Sequence, residues 1–351
     1  ENNIGWQAAG ITPVRKNWHG LLPVPGDGRF EWEGFLPIQE LPCILNPKED
    51  FFATANQNNV PEDYPHPLGF MWSEPFRFER IREVLQAGNK FTLEDMAGLQ
   101  QDAFSIPART LVPYLEGLHS SDTMTEKAIG MLLSWDCRMN EDSVEAAIYT
   151  AWFRRLRDNV WDLSVPESDR ALLPRRPLKI LRDTLAHPDE KFGADPESGR
   201  DSLLIESLEQ GIRDLEERLG KDVDGWLYGQ EKFHHILIRH ALSAAVSEEI
   251  RARIDLGPTP RGGSGYTVNM TGSGYNQGSG ASFRIIADCS NWDNSLGTNC
   301  PGQSGDPESF HYRDLFEPWA KGRYFPVYFS REKIESAARS VLILNPTKKP
   351  E

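Results

Sequence analysis

The chain has 351 residues and a formal net charge of −14, and 39% of its residues are hydrophobic, among them 17 Phe and 10 Trp. This apolar content suffices for a buried core and excludes general disorder. The acidic balance argues against a nucleic-acid partner, and the apolar stretches are too short to cross a membrane.

The first segment, residues 1–76, is rich in Gly, Pro and Trp and contains the short apolar pieces IGWQAAGI, FEWEGFLPI and FFATAN. Short apolar pieces between turn residues predict short strands. The alternating, aromatic stretch NIGWQAAGITPVR is typical of the middle of a sheet. We therefore expect further sequence to precede residue 1.

Residues 77–255 form a mainly helical region, because apolar residues recur there at helical spacing. Thr92 and the pair Asp142-Ser143 predict helix starts. Residues 201–220 predict an amphipathic helix with a solvated acidic face, closed by Gly220. The Pro-rich residues 164–177 predict a surface connector.

The last segment, residues 256–351, returns to β character. SFRIIADC predicts the strongest strand, and KGRYFPVYFS and SVLILNP predict further strand-like pieces. The order of β, then α, then β predicts an α+β fold with its helices segregated to one side. We expect the three segments to belong to one large domain.

Three motifs with a superficial catalytic or binding pattern favour structural roles. The glycines of residues 262–280 lack the GxxxxGK[ST] pattern of a phosphate loop and predict turns and bulges. GQSGD, residues 302–306, lies between prolines and departs from the GxSxG nucleophile motif. His234, His235 and His240 form no HExxH zinc motif.

The four cysteines, Cys43, Cys137, Cys289 and Cys300, have no zinc-binding spacing. Cys289 and Cys300 flank the loop SNWDNSLGTN and could close it as a disulfide. Free thiols are the alternative, and an even count permits an exported protein without proving one.

An unusual cluster of amides, Asn56, Asn58 and Asn59, lies in the stretch ATANQNNVPEDYP. Asparagines tolerate left-handed backbone and form turns, which is the simpler explanation. Alternatively, one side-chain amide donates a hydrogen bond to an anionic oxygen that develops during a reaction.

Taken together, several long motifs resemble the β subunit of the penicillin acylase family. They are NIGWQAAGITPVR, LPVPGDGRFEWEGFLP, ATANQNNVPEDYP, FMWSEPFRFERI, GASFRIIADCSNWD and PGQSGDPESFHYRDLFEPWAKGRYFPVYFS. The resemblance implies part of a four-layer αββα N-terminal nucleophile hydrolase sandwich with a long helical insert. In that family a precursor cuts itself, and the new N-terminal Ser attacks an amide with its own α-amino group as base.

The resemblance also implies roles for individual residues. Asn58 corresponds to the amide that stabilises the oxyanion, with Asn56 and Asn59 as supporting residues. Arg77 corresponds to an arginine that orients the catalytic amine and this Asn. Phe70 corresponds to a position lining the acyl pocket, with a plain core role as the alternative.

Residue 1 of this chain is Glu and not the nucleophilic Ser. We therefore expect the nucleophile on polypeptide outside this chain, and we expect this chain alone to be inactive. The implied partners are an α subunit and the nucleophile-bearing part of the β subunit, with no nucleic acid and no membrane. The implied substrates are small-molecule amides, either β-lactam side-chain amides or acyl-homoserine lactones. A non-catalytic binding or structural relative is the alternative.

The resemblance further implies a periplasmic or secreted location. Many members of the family bind calcium, but the expected Asp would fall near Pro67 or Leu68, where no Asp stands. We therefore predict no cofactor and no metal in this chain, with calcium in the complete protein as the alternative.

Overall fold

The computed structural model describes residues 3–88, 90–173, 177–272 and 274–345. Its secondary structure is mixed, with helices in the middle of the chain and short strands on either side.

Two antiparallel ribbons form the N-terminal segment. Their strands are β1 (Gly5–Gln7), β2 (Pro13–Arg15), β3 (Trp32–Phe35) and β4 (Cys43–Leu45). Strand β1 pairs with β4, and β2 pairs with β3 across an irregular register. The predicted strand at FFATAN is wrong, since residues 46–75 form turns and irregular backbone.

The middle of the chain is helical. Its helices are α1 (Phe76–Ala87), α2 (Leu93–Gln100), α3 (Ile106–Leu111), α4 (Thr123–Ser134), α5 (Val144–Ser164), α6 (Glu167–Arg170), α7 (Leu178–Ala186) and α8 (Pro196–Leu219). Thr92 caps α2 in a reciprocal bond with Asp95, and Ser143 caps α5. Gly220 ends α8 with a φ of 91°, in the left-handed region that favours glycine.

The predicted connector contains the short helix α6, and its residues 174–176 lie outside the described residues. Helix α8 begins at Pro196, earlier than the sequence pattern indicates, because the Asp195 side chain accepts from the Ser198 N–H and caps it there.

The last part of the chain combines short strands with short helices. They are β5 (His235–Ile238), α9 (Glu248–Ile254), β6 (Leu256–Pro260), β7 (Phe283–Ile286), β8 (Leu296–Asn299), α10 (Phe316–Ala320), β9 (Phe325–Pro326) and α11 (Arg331–Ala337). Strand β5 pairs with β6, and β7, β8 and β9 form a three-stranded antiparallel sheet.

The predicted strand at SVLILNP is wrong for its described part, since residues 340–345 form no strand. The described part of the chain also shows all four cysteines as free thiols, with Cys289 exposed. In the antiparallel pairing of β7 with β8, Cys300 follows the Phe283–Asn299 end of the ladder, whereas Cys289 lies in the connection beyond the Ile286–Leu296 end. The two thiols therefore lie at opposite ends of the hairpin and do not close the loop.

The main core lies among the helices, and α5 packs most extensively on α8. Trp152 is fully buried there, and its indole N–H donates to the Leu204 carbonyl at 3.1 Å. Gly211 of α8 lies so close to the backbone of α5 that a Cβ at this position would be 2.8 Å from the backbone nitrogen of Trp152. A smaller core of Ile236, Leu256 and α10 supports the β-rich end. Within the described residues, no helix has the length and apolar character that a bilayer crossing requires.

Candidate functional site

A large open cavity lies where the N-terminal segment meets the helices. Its volume is about 1220 Å³. Its wall combines apolar side chains with amides and charged groups. It is formed by Asn56, Phe70, Met71, Trp72, Ser73, Glu74, Phe76, Arg77, Arg154, Arg157, Asp158, Pro177, Leu178, Gly265, Tyr266 and Met270.

Asn56 reaches this cavity from a tight turn. Its backbone is left-handed, with a φ of 68°, a conformation that Asn tolerates better than most residues. The Ser73 N–H donates to the Asn56 carbonyl at 2.8 Å and ties the turn to the segment before α1. The neighbouring Gln57 is buried, and its side-chain carbonyl accepts from the Ala55 N–H at 2.7 Å. These contacts fix the direction in which the Asn56 side chain leaves the backbone.

Arg77, in the first turn of α1, clamps the same turn. One of its terminal nitrogens donates to the Ala55 carbonyl at 2.6 Å and to Asn56 Oδ1 at 2.9 Å. A guanidinium has only donors, so the Asn56 atom that faces it is the oxygen. The amide nitrogen of Asn56 is therefore the donor end of a side chain that lines the cavity.

The Arg77 guanidinium is half-buried. Burial lowers the pKa of Arg77 from its ordinary value, but an arginine remains protonated at neutral pH. Its positive charge also polarises the Asn56 amide through the bond to Oδ1, which strengthens the amide N–H as a donor. The pair is suited to stabilising negative charge in the cavity.

Asn58, which the sequence resemblance singles out, is exposed and does not line this cavity. Its Oδ1 accepts from the Val60 N–H at 3.1 Å, a local turn contact. The structure therefore brings Asn56, which is also exposed, together with Arg77. The catalytic role that the resemblance implies for Asn58 stays a prediction. The resemblance implies only a supporting role for Asn56, and the local signal in its favour is the left-handed turn that an Asn permits.

Phe70 lies on the cavity wall with 47% of its surface exposed, so it is not a core residue in the described structure. It contacts the His19 ring edge to face, with 5.4 Å between the ring centroids. Met71 and Trp72 follow it along the same wall and are also exposed. An apolar wall of this kind suits an apolar substrate group.

Helix α5 contributes the charged side chains Arg154, Arg157 and Asp158 to the cavity wall. Arg154 lies over the Tyr275 ring at 4.2 Å, and Arg157 lies over the Phe153 ring at 5.4 Å. Both arginines and Tyr266 also line a smaller chamber of about 120 Å³, which shares these residues with the cavity. The buried hydroxyl of Tyr149 belongs to this chamber, and burial raises the pKa of Tyr149 well above its usual value, so it remains a neutral phenol.

In the part of the chain that the structure describes, no group of three or more His, Cys, Asp or Glu side chains is arranged to hold a metal ion. Of the three clustered histidines, His234 is buried and stacked on Tyr228, with ring centroids 4.6 Å apart. Its Nδ1 lies 2.7 Å from the Arg261 carbonyl. Because a carbonyl only accepts, this nitrogen carries the proton of a neutral ring. His234 is thus a core residue.

The fold has a counterpart of known structure. A thermostable penicillin G acylase from Alcaligenes faecalis superimposes with a TM-score of 0.65 at 20% sequence identity, covering 99% of this chain and 66% of that one. The chain therefore has the fold of part of a penicillin G acylase.

The sequence comparison identifies the family. Residues 1–336 match the penicillin amidase family, and the chain belongs to it. An acyl-homoserine lactone acylase QuiP of Pseudomonas syringae pv. syringae (strain B728a) is 28% identical, over 99% of this chain and 45% of that protein. Penicillin acylase 2 proenzyme of Pseudomonas sp. (strain SE83) is 31% identical, over 96% of this chain and 44% of that protein. The chain thus spans less than half the length of these relatives.

Proposed function

We propose that this chain is the part of an acylase that supplies the oxyanion donor for hydrolysis of a linear amide. The proposal rests on the hydrogen bonds that Arg77 donates to the Ala55 carbonyl and to Asn56 Oδ1. These bonds lie at the wall of a cavity that is large enough for a small-molecule amide. Attack on an amide carbonyl places negative charge on its oxygen, and a preorganised amide N–H stabilises that charge. Asn56 is our candidate for this role, and Asn58, which the resemblance indicates, stays the alternative prediction, because the bond from the Val60 N–H uses its Oδ1 and not its donor nitrogen.

The nucleophile of the proposed reaction comes from polypeptide outside this chain. Ser73 is an aliphatic hydroxyl on the described cavity wall, but no His or Lys stands on that described wall to accept its proton. A serine needs such a base to attack an amide. An N-terminal Ser carries its own base, the α-amino group, and family membership makes this the best-supported nucleophile.

The same proposal includes the expected assembly. A companion α subunit and the nucleophile-bearing part of the β subunit complete a four-layer αββα sandwich, to which the short ribbons of this chain contribute. We propose that the enzyme lies in the periplasm or outside the cell. We further propose that its substrates are acyl-homoserine lactones or β-lactam side-chain amides. These are the substrates that the names of its relatives suggest.

Covalent labelling tests this proposal. The full natural protein is treated with a serine-directed sulfonyl fluoride while hydrolysis of an acyl nitroanilide is followed, and the labelled residue is located by mass spectrometry. We expect the label on an N-terminal Ser of a companion chain, with parallel loss of activity. A label on Ser73 would refute the external nucleophile. A natural protein with neither companion chain nor amidase activity would indicate a non-catalytic relative.

A further inference from the structure

The chamber of about 120 Å³ that shares residues with the cavity is rich in hydrogen-bond donors. Arg154 and Arg157 contribute positive charge to it, and no Asp or Glu is found among the described residues of its wall. Burial raises the pKa of Tyr149 and of Tyr266, and the charge of Arg157 opposes this effect at both hydroxyls. Both phenols therefore remain neutral donors within reach of a cation.

The hydroxyl of Tyr149 is the most informative group of the chamber wall. Tyr149 is 4% exposed, and its hydroxyl has no hydrogen-bond partner among the described residues. Ser105 also acts on this hydroxyl, but the two groups form no hydrogen bond of ordinary geometry. Buried polar groups are normally hydrogen-bonded, so an orphaned hydroxyl beside a chamber points to an acceptor that a ligand supplies.

Two serine hydroxyls add to the donors of the wall. Ser105 Oγ accepts from the Ala108 N–H at 3.2 Å, and Ser264 Oγ accepts from the Tyr266 N–H at 3.2 Å. A hydroxyl that accepts one bond still has a proton to donate. The wall therefore presents hydroxyls and guanidiniums, and its described residues include no anionic acceptor for them.

Tyr266 lies at the boundary between the chamber and the cavity, since it lines both. Its ring packs edge to face against Phe76 on the cavity wall, with 6.0 Å between the centroids. It packs in the same way against Phe153 on the chamber wall, with 5.9 Å between the centroids. The cavity wall also includes Asn56 and Arg77. One cavity thus borders both the candidate oxyanion donor and the chamber.

We propose that the chamber is a subsite for a carboxylate of the substrate, held by the Tyr149 hydroxyl and the guanidiniums of Arg154 and Arg157. This inference rests on the proposed function and adds a charge requirement to it. An ionised carboxylate has only acceptor oxygens, so it matches a wall of donors, and its bonds to guanidiniums are stronger than neutral ones. The carboxylate belongs either to the acyl group or to the leaving amine, and kinetics distinguishes the two.

Steady-state kinetics of the full natural protein with two pairs of nitroanilides tests the subsite. Glutaryl 4-nitroanilide carries the carboxylate on the acyl group, and its methyl ester is the neutral match. Pentanoyl 3-carboxy-4-nitroanilide carries it on the leaving amine, and pentanoyl 4-nitroanilide is the neutral match. We expect one carboxylate substrate to have a KM about tenfold or more below that of its neutral match. A KM that is equal or higher for both carboxylate substrates would overturn the subsite.

Unreactive ketones separate the subsite from the proposed function. In ketone analogues of the four nitroanilides a methylene replaces the amide nitrogen, so calorimetry measures their dissociation constants without turnover. Tighter binding of a carboxylate ketone, with no hydrolysis of any nitroanilide, would refute the proposed function and retain the subsite. Hydrolysis with no preference for a carboxylate would retain the proposed function and refute the subsite.

Variants of the chamber wall assign the preference to its residues. Tyr149→Phe removes only an orphaned hydroxyl, and we expect it to fold and to raise KM for the preferred carboxylate substrate about threefold to tenfold, with KM for the neutral match unchanged. Arg157→Gln removes a charge and should reduce the preference further. Tyr312→Phe is the matched control, because this buried hydroxyl donates to the Ile254 carbonyl at 2.6 Å and Tyr312 lines neither the cavity nor the chamber. An undiminished carboxylate preference in both chamber variants would contradict the subsite.

Discussion

The helical middle of this chain and the β-rich segments around it bury their apolar residues to very different extents. The helices enclose a continuous core that includes Trp152, Leu156 and Leu208. The β-rich segments leave many large apolar side chains exposed, among them Leu22, Trp32, Phe35, Leu45, Phe283, Phe310, Phe329 and residues 341–344. Exposed apolar surface of this extent marks an interaction site. The helical region thus buries its apolar residues within itself, whereas the ribbons leave apolar surface exposed, as the proposed assembly with companion polypeptide requires.

The candidate site lies where these two regions meet. Asn56 belongs to the irregular segment after the ribbons, and Arg77 belongs to the first turn of the helical region. Arg77, which orients the amide, therefore belongs to the helical region, whereas the amide itself, Asn56, belongs to the N-terminal segment. Variants on the two sides test whether this division is correct.

The largest expected difference in stability is between two tryptophans. Trp152→Ala should lower the free energy of unfolding by about 3–5 kcal/mol, because it leaves a cavity in a closed core. Trp32→Ala should cost about 1 kcal/mol in the chain produced alone, since that indole is 53% exposed and contacts chiefly Arg15 and Phe35. Urea denaturation of the two variants measures both values. Similar losses would remove the distinction between the regions.

The next effect is the pH dependence of stability that arises from His234, the residue directly before β5. Burial lowers the pKa of His234 from 6.5 to about 4. The unfolded chain then binds a proton that the folded chain excludes, so stability is complete above pH 6.5 and is lost as the pH falls toward 4. The loss over this window is about 3 kcal/mol. Unfolding free energies measured between pH 7.5 and pH 4.5 check this, and a stability that stays constant over this window would contradict it.

A smaller effect is expected on the apolar cavity wall. Phe70→Ala should raise KM for an amide with an apolar acyl group several-fold, equivalent to about 1 kcal/mol of lost contact, and leave kcat nearly unchanged. The unfolding free energy should change little, because Phe70 is 47% exposed. Steady-state kinetics of the full natural protein, with urea denaturation as the control, separates these effects. A large loss of stability with unchanged KM would assign Phe70 to the core.

The smallest effect is expected at the C-terminal apolar residues. Leu342 is 83% exposed, so Leu342→Ser should change the stability of the chain produced alone by less than about 0.5 kcal/mol. In the full natural protein the same substitution should cost more if a companion chain covers this surface. Parallel denaturation of the two forms sharpens the comparison, and identical small changes would show that this surface is not covered.

Most helices could be predicted because their signals are local. Thr92, Ser143 and Gly220 are helix-end residues in the structure, as their patterns indicate. The strands were harder, since FFATAN and SVLILNP have apolar strand-like sequences but no ladder partner among the described residues. Strand formation depends on such a partner, which a local pattern cannot supply.

The sequence could predict which segment contributes to the candidate site, but not which amide of that segment faces the cavity. The cluster of asparagines and Arg77 are the residues to which the sequence pointed, but which amide faces the cavity depends on backbone direction. That direction is fixed by the buried Gln57 and by the bond from Arg77, both of which act across the fold or through burial.

The most direct test of the central claim compares turnover by Asn56→Ala and Asn58→Ala in the full natural protein with one acyl nitroanilide substrate. If Asn56 donates to the oxyanion, its substitution should lower kcat by about 10²–10³-fold, whereas Asn58→Ala should stay within about threefold of the parent. Circular dichroism checks that both variants are folded. A large loss in Asn58→Ala with near-normal turnover in Asn56→Ala would contradict the assignment.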